Sequence, residues 1–240
     1  MPHDVAPSEF WIAARDPKHR AILSGGSSND AIYQMIATTL RSNHKGRGVI
    51  LDVGCGAGAL RALVEPLFDQ YVGTDLVRYE SFPAGCEFHL ANLNQGLPFR
   101  ESFADAVVAA EIIEHLENPR ALMRELVRVA KPGGAIVLTT PNQLSLLSLL
   151  TLIFKHRFAA FQDVHYPAHL TALLEIDLTR MANETGLTDI EVEYSRQGRI
   201  PKTSWHYPQA MTRVWPRRFS DNLLIVGRKP LAGGKNLNGA

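Results

Sequence analysis

The sequence is short of the residues and runs that mark several classes of protein. Cysteine is scarce, with Cys55 and Cys86 the two in 240 residues. This usage provides no disulfide framework and no metal-binding spacing, and it favours a reducing compartment. No apolar run reaches the length of about 20 residues that a membrane-spanning helix needs. Residues 1–10 have no basic stretch followed by an apolar core, so we expect no secretory signal and a cytoplasmic location.

An excess of one charge is also lacking. Lys and Arg number 25 against 24 Asp and Glu, which leaves a net charge of +1. A chain balanced in this way has no overall field that would attract nucleic acid or an acidic partner. The hydrophobic content of 45% is sufficient for one sizeable core at this length. We therefore expect a single α/β unit, and the chain shows no internal repeat.

The strongest positive signal is a buried strand that runs into a glycine-rich turn. Residues 49–53 are apolar apart from Asp52, which is typical of a parallel strand covered on both faces. Glycines then allow a sharp turn and a close approach of the backbone to a ligand. Residues 59–67 favour a helix, whose N-terminus attracts negative charge. The pattern predicts a cradle for a nucleotide-type cofactor, built around Gly54, Gly56 and Gly58.

The spacing of these glycines distinguishes between cofactors. A dinucleotide fingerprint, G-x-G-x-x-G, would place the third glycine at position 59, where this chain has Ala59. The observed D-x-G-x-G-x-G, beginning at Asp52, resembles the first motif of class I S-adenosylmethionine (SAM) dependent methyltransferases. A second strand, 70–75, ends in Asp75, at the distance where an acid commonly accepts hydrogen bonds from both ribose hydroxyls.

Further motifs make the resemblance more specific. Residues 91–99 (ANLNQGLPF), 102–119 (SFADAVVAAEIIEHLENP), 131–134 (KPGG) and 185–187 (TGL) follow in register. They are similar to the methyltransferase branch that includes quinone, small-molecule and sugar methyltransferases, and the similarity covers roughly residues 48–190. Two departures occur. Asn92 stands where the family usually has Asp, and one extra residue lies within 102–105.

The resemblance implies a Rossmann-like, doubly wound, seven-stranded and mostly parallel sheet, with SAM as cofactor and S-adenosylhomocysteine as product. It assigns the glycines to the amino-acid part of SAM and Asp75 to the ribose. Leu76 and Leu93 would sandwich the adenine and Asn92 would meet its amino group. The expected cofactor-binding residues are Asp52, Gly54, Cys55, Gly56, Gly58, Asp75, Leu76, Asn92, Leu93, Glu111 and Ile112.

The chain divides into a cap, a catalytic domain and a tail. We expect residues 1–46 to form a helical cap over the cofactor cleft, with a helix at 29–40 capped by Asn29 or Asp30. Residues 47–230 would form the methyltransferase domain, with strands near 48–53, 70–75, 86–90, 105–110, 135–140, 190–195 and 222–228. Segments 142–175 and 196–221 depart from the common core and are expected to select the substrate. Residues 231–240 are expected to be disordered.

Histidines supply the candidate catalytic groups. Oxygen methylation gains from a general base near neutral pKa, which histidine provides. His169 occupies a position that matches the G-H-I-T-P-L element of the resembling branch, and His165 lies four residues earlier. His115 follows strand four, beside the expected methyl group. We expect no metal, because no third ligand accompanies the pair His165 and His169.

Two segments bear on the acceptor. The first is an apolar helix at 144–154 that carries Ser145, Ser148 and Thr151 at helical spacing. It is interpreted either as a helix packed over the sheet edge, or as a lid over an apolar substrate or an interfacial helix. The second is 195–220, which has six basic residues and no acidic one, leaving −5 for the rest (+1 minus +6). It is either a solvated hairpin or a site for phosphate, nucleic acid backbone or anionic membrane.

The sequence therefore predicts a SAM-dependent methyltransferase that methylates an oxygen of a small-molecule, saccharide or lipid-linked acceptor, which could be anionic. Peripheral membrane contact is an open expectation, and nucleic acid is disfavoured because the residues after strand four (110–112, AEI) lack the signature of amino-methylating enzymes. The alternatives are a non-catalytic SAM-fold regulatory or scaffold protein and, less favoured, an NAD-type oxidoreductase.

Overall fold

The computed structural model describes residues 16–44 and 46–231. Its centre is one seven-stranded sheet with the strand order β3-β2-β1-β4-β5-β7-β6. All neighbouring strands run parallel except β7, which is antiparallel to both β5 and β6. The expected doubly wound, mostly parallel sheet is confirmed. The strands are β1 (Val49–Val53), β2 (Gln70–Asp75), β3 (Glu87–Leu90), β4 (Ala104–Ala109), β5 (Ala130–Pro141), β6 (Thr188–Tyr194) and β7 (Asn222–Arg228).

Helices cover both faces of this sheet. None in the described part of the chain is both long and apolar enough to cross a bilayer. Short 3-10 turns at Glu65–Leu67, Ile113–His115 and Asp163–His165 complete the connections. The helices are α1 (Pro17–Leu23), α2 (Asp30–Asn43), α3 (Arg61–Val64), α4 (Pro119–Val129), α5 (Leu146–Lys155), α6 (Glu175–Glu184) and α7 (Gln209–Val214).

The core consists of two apolar layers separated by the sheet, because successive side chains of a strand point to opposite faces. On β1, Leu51 and Val53 join the layer that α4 and α6 cover, through residues such as Leu126 and Leu178. Ile50 points the other way, into the layer formed with α2 and α3. Both faces of β1 are therefore buried, as its apolar sequence predicts.

The N-terminal helix α2 lies against this second layer. Asn29 caps α2, because its side-chain oxygen accepts a hydrogen bond of 2.8 Å from the Ala31 amide. The predicted apolar face of α2 is buried, with Ile32, Met35, Ile36 and Leu40 in the core. Residues 1–15 of the expected cap, residue 45 and residues 232–240 of the expected tail lie outside the described residues.

The helix expected at 59–67 is much shorter in the structure. α3 begins at Arg61 and has four residues, and a 3-10 turn, Glu65–Leu67, replaces its continuation. The reason is Pro66, which has no N–H to donate to an earlier carbonyl. The extra residue within 102–105 is accommodated before β4, where Ser102 takes a left-handed backbone conformation with φ of 54°.

The two segments that depart from the common core pack against each other. Asn142 is buried, and its side-chain amide donates to the carbonyls of Arg217 (2.7 Å) and Ser220 (2.9 Å). The Leu146 amide at the start of α5 donates to the Arg218 carbonyl at 2.7 Å. These bonds fasten α5 to the 196–221 segment, so that both segments frame one region of the molecule.

Candidate active site

The site lies at the carboxyl ends of β1, β2 and β4, where the strand order reverses direction. In open α/β sheets this is the place where ligands bind. A cavity of about 250 Å³ opens there. It brings together most of the site residues expected from the sequence, namely Asp52, Gly54, Cys55, Asp75, Leu76, Asn92, Leu93, Glu111, Ile112, His115 and His169.

The glycine loop needs its glycines for close packing. All three have positive φ, and a Cβ on Gly54 would lie 2.6 Å from the Ile112 side chain. A Cβ on Gly56 would lie 2.0 Å from the Gly26 carbonyl oxygen, and one on Gly58 would lie 2.5 Å from Pro83. Gly54 lines the cavity, whereas Gly56 and Gly58 face neighbouring backbone and side chains outside its lining.

Two buried carboxyl groups border the loop. Asp75 accepts hydrogen bonds from the amides of Gly56 (2.8 Å) and Leu76 (2.6 Å), which fixes its side chain at the end of β2. Asp52 accepts a bond of 2.5 Å from the Tyr71 hydroxyl. Burial raises the pKa of Asp52 to about 7 and also raises the pKa of Asp75. Both carboxyl groups are thus held in place by hydrogen bonds from neighbouring amide or hydroxyl groups.

The expected adenine contacts lie on the same side of the cavity as Asp75. Leu76 and Leu93 line it, and Asn92 does so too. The side-chain oxygen of Asn92 accepts a bond of 3.1 Å from the Asn94 amide. Since an amide oxygen has two lone pairs, one remains for a second donor.

The N-terminal segment contributes residues that sequence reasoning missed. Arg20 of α1 is buried at 6% exposure, lines the cavity and pairs with Glu117 at 3.0 Å. The Gly26 carbonyl accepts a bond of 2.8 Å from the Ala57 amide, and the Ala21 carbonyl accepts one from the Tyr79 hydroxyl. Arg20 could have been predicted as a site residue, because it is a basic residue within the segment expected to cover the cleft.

The loop after β4 places two more carboxyl groups at the cavity. Glu111 has φ of 50°, and its side chain accepts a bond of 2.7 Å from the Asn222 amide group. Glu114 accepts a bond of 3.1 Å from the Thr140 hydroxyl. Each retains one buried oxygen without a hydrogen-bond partner among the described residues. Burial raises the pKa of Glu111 to about 7, and burial together with Glu111 raises that of Glu114 well above its usual value.

The three histidines form a cluster. His169 packs edge-on against His115 with ring centroids 4.7 Å apart and stacks on His165 at 5.5 Å. Nδ1 of His169 lies 2.7 Å from the Ala160 carbonyl, which can only accept, so Nδ1 carries the proton and Nε2 presents a lone pair. Burial, reinforced by His115, lowers the pKa of His169 to about 4. His169 is therefore neutral near pH 7.

A metal ligand set is also present in this cluster. Ligand atoms of Glu114, His115 and His169 lie within 4.8 Å of one another. The sequence argument against a metal concerned the pair His165 and His169, whereas this cluster joins Glu114 and His115 to His169 and does not include His165. Nitrogen and oxygen donors of this kind suit a divalent cation. Glu114 and His169 are far apart in the sequence, and only the fold brings them close together.

A second chamber of about 500 Å³ adjoins the first. His169, Asn29 and Ile32 line both. His165 lies in this second chamber. Its walls come from α5 and from the 196–221 segment, the two parts expected to select the substrate. The site therefore consists of two compartments that meet at His169.

Comparison with known proteins agrees with this geometry. The family described as "Methyltransferase domain" matches residues 51–138. A ubiquinone biosynthesis O-methyltransferase of Psychrobacter cryohalolentis is 27% identical over 195 residues, covering 76% of this chain and 72% of that protein. The mitochondrial enzyme of the same description from Rattus norvegicus is 32% identical over 122 residues. That alignment covers 46% of this chain and 35% of the relative.

Residues 51–138 thus carry a methyltransferase domain, and the fold is that of class I SAM-dependent methyltransferases. Solved structures show the same fold. A SAM-dependent methyltransferase from Archaeoglobus fulgidus gives a TM-score of 0.60 at 20% identity, covering 82% of this chain and 94% of the other. A Haemonchus contortus phosphoethanolamine methyltransferase, solved with S-adenosylhomocysteine, gives 0.54 at 18% identity, covering 82% and 53%. The chain spans about a third of the length of the mammalian relatives it matches.

The methyltransferase domain provides a suitable environment for SAM. The sulfonium of SAM is cationic, and the first cavity is lined by the carboxyl groups of Asp52, Asp75, Glu111 and Glu114. Glu111 and Glu114 each offer an oxygen without a partner among the described residues. The backbone at Gly54 approaches so closely that a Cβ would strike Ile112. The residues present thus fit SAM.

The glycine loop allows a matched test of this cavity. Gly56→Ala would push a methyl group into the Gly26 carbonyl, whereas Gly85→Ala meets nothing within 4 Å. Both sites have positive φ, so the backbone strain is common to both variants. We expect Gly56→Ala to weaken S-adenosylhomocysteine binding by roughly tenfold or more, equivalent to about 1.4 kcal/mol. Calorimetric titration of the two variants should show the loss in the first alone. Equal affinity in both would contradict the role of this close contact.

Proposed function

We propose that this protein transfers the methyl group of SAM to an oxygen of a small-molecule acceptor. The observation that carries the proposal is the position of His169, whose unprotonated Nε2 belongs to a side chain lining both cavities. Two relatives of this chain are described as ubiquinone biosynthesis O-methyltransferases, and this description supports an oxygen acceptor. Residues 47–230 would form the catalytic domain and 1–46 its cap, with 231–240 as a tail.

The cofactor residues take the following roles in the proposal. The glycine loop would pass close to the amino-acid part of SAM, and Asp75 would accept hydrogen bonds from the ribose hydroxyls. Leu76 and Leu93 would enclose the adenine, with Asn92 at its amino group. Glu111 and Ile112 would border the methyl group, with Asp52 and Cys55 behind the loop. The cavity lining supports this arrangement for Gly54, Asp75, Asn92 and Glu111.

Methyl transfer then depends mainly on alignment. Bound SAM supplies an electrophilic methyl carbon attached to a sulfonium. This carbon would pass to the acceptor oxygen as its bond to sulfur breaks, and Nε2 of His169 would take the hydroxyl proton. An oxygen becomes strongly acidic as it gains the methyl group, so a base of low pKa can take its proton late in the step. The cavity walls hold the two reactants in line and exclude water.

His115 and His165 would act through His169. The Nδ1 of His115 lies 2.9 Å from the Ala168 carbonyl, and the amides of Leu170 and Thr171 donate to the Glu114 carbonyl. These contacts join the 163–171 segment to the loop after β4. The loop thereby keeps the base beside the residues that would border the methyl group.

A cytoplasmic protein with a peripheral membrane contact is part of the proposal. Ile153 and Phe154 at the end of α5 are 65% and 78% exposed, and Val164 is 83% exposed. Lys155 and Arg157 flank them, a combination typical of interfacial segments. Flotation with vesicles containing anionic lipid tests this contact. We expect wild-type protein to float and Phe154→Ser to float less, and equal recovery of the two would exclude this face.

The base assignment has a direct test. His169→Ala should lower kcat for the acceptor by about 10²- to 10⁴-fold, the range that a positioned general base supplies. Affinity for S-adenosylhomocysteine should stay within a factor of about two, since the partner contacts of Asp75 and the glycine loop are untouched. His19→Ala is the matched control, because His19 is exposed on α1. Methylation at the wild-type rate by His169→Ala would remove this assignment while leaving the enzyme class intact.

The pH dependence of kcat/KM is a second measurement, and it would not report the ionisation of His169 if this residue were only structural. A base with pKa of about 4 is deprotonated throughout the neutral range. The ionisation of His169 should therefore add a fall in kcat/KM only as the pH approaches 4, and any step near pH 7 should come from Asp52 or Glu111 and persist in His169→Ala. A step near pH 6.5 that disappears in His169→Ala would contradict the low pKa of His169.

A further inference from the structure

The second chamber has a polar lining that the apolar sequence of α5 does not suggest. Gln143, Ser145, Ser148 and Thr151 line it from this side. Ser148 is 2% exposed, and its hydroxyl donates to Gln143 at 3.3 Å and accepts from the Ala159 amide at 3.2 Å. The bulky apolar residues at the end of α5 point to solvent instead. The helix therefore turns its polar stripe toward the chamber.

The opposite wall is a short hairpin within 196–221. Arg199 and His206 form an antiparallel bridge, and the Ile200 amide donates to the Trp205 carbonyl at 2.9 Å. At its base, a Cβ on Gly198 would lie 2.4 Å from the Phe219 carbonyl, so the hairpin sits tightly on the fold. This geometry holds the lining residues of the hairpin over the chamber.

Basic side chains and histidines line the chamber on the side of the hairpin. Arg199, Lys202, His165 and His206 line the chamber. Arg199 pairs with Asp221 at 2.7 Å, and Asp221 is the one acid among the lining residues that the structure describes. Lys202 forms no ion pair within the described residues. The Arg199 charge helps to lower the pKa of His165, after burial, which places the two groups near each other.

One buried atom points to a ligand in particular. Nδ1 of His165 is buried and has no hydrogen-bond partner among the described residues. Leaving such an atom unsatisfied destabilises the protein unless a bound molecule or water pairs with it. Its neighbours in the chamber are hydroxyl, amide and cationic groups, which bind hydroxyls and oxyanions.

We propose that this chamber is the acceptor site and takes a hydroxyl-rich molecule carrying a phosphate group, such as a sugar phosphate. Lys202 and Arg199 would bind the phosphate at the hairpin. The hydroxyls would lie along Gln143, Ser148 and Gln162, with one of them directed to His169. This inference rests on the proposed methyl transfer, since it assigns the acceptor of that reaction. A polyprenyl quinol would instead need a continuous apolar channel, whereas most of the residues that line this chamber are polar or charged.

Binding to the whole protein saturated with S-adenosylhomocysteine tests the proposal. The probes are glucose 1-phosphate, hexyl phosphate, which keeps the anion without the hydroxyls, and methyl glucoside, which keeps hydroxyls without the anion. We expect glucose 1-phosphate to bind with Kd of about 1 mM or tighter, and more tightly than either partial probe. If hexyl phosphate binds best, or if no sugar phosphate binds, the assignment is wrong.

Variants locate the phosphate. Lys202→Gln should weaken glucose 1-phosphate binding about tenfold, the loss expected for one charge-assisted hydrogen bond. Lys202→Arg should preserve it, and Arg213→Gln is the matched control, since Arg213 belongs to the same basic segment and lies outside the chamber lining. An equal loss in Arg213→Gln, or none in Lys202→Gln, would contradict a phosphate site at the hairpin.

A further probe distinguishes a soluble acceptor from a lipid-linked one. Farnesyl phosphoryl glucose in detergent micelles presents glucose and phosphate attached to a lipid. Tighter binding than glucose 1-phosphate supports a lipid-linked acceptor, and equal or weaker binding supports a soluble one. The cofactor titration distinguishes the two levels of failure. If S-adenosylhomocysteine binds and every sugar phosphate fails, this inference falls alone, whereas loss of S-adenosylhomocysteine binding removes the proposed function itself.

Discussion

The site depends on one hydrogen bond between the glycine loop and the next strand. The Gly56 amide donates to the buried Asp75 carboxylate at 2.8 Å, which joins the ends of β1 and β2. The loop can approach this closely only without a Cβ, because the Gly26 carbonyl occupies the space on its other side. The N-terminal segment, the loop and Asp75 are thus fixed relative to one another by a single stretch of backbone.

The second chamber is assembled around this frame by packing between distant parts of the chain. Asn142 fastens the start of α5 to the end of the 196–221 segment. The 163–171 segment is fixed through the Glu114 carbonyl to the loop after β4. Consequently His169 is held where the two compartments meet. The linings of the two compartments differ, since four carboxyl side chains line the first, and Arg199 and Lys202 line the second.

The sequence predicted the sheet and the cofactor edge because both depend on local patterns. Apolar runs located the strands, and the spacing of Gly54, Gly56 and Gly58 identified the cradle. Pro66 marked the early end of α3, but the helix-forming residues around it suggested a longer helix. Arg20 and Glu114 were missed as site residues since only the tertiary fold places them beside Glu117 and His169, which are distant from them in the sequence. The polar stripe of α5 was visible in the sequence, but the side to which it turns was not, because its partners Gln143 and Ala159 lie outside the helix.

The most direct test of the central claim is calorimetric titration of the wild-type protein with S-adenosylhomocysteine and, in parallel, with NADH. The geometry at Gly56 and Asp75 predicts saturable, one-to-one binding of S-adenosylhomocysteine and no heat from NADH. Binding of NADH alone would contradict the account, because it would mean that the D-x-G-x-G-x-G loop accepts a dinucleotide. Absence of binding by both would contradict it as well and would favour a protein that keeps the fold without the cofactor.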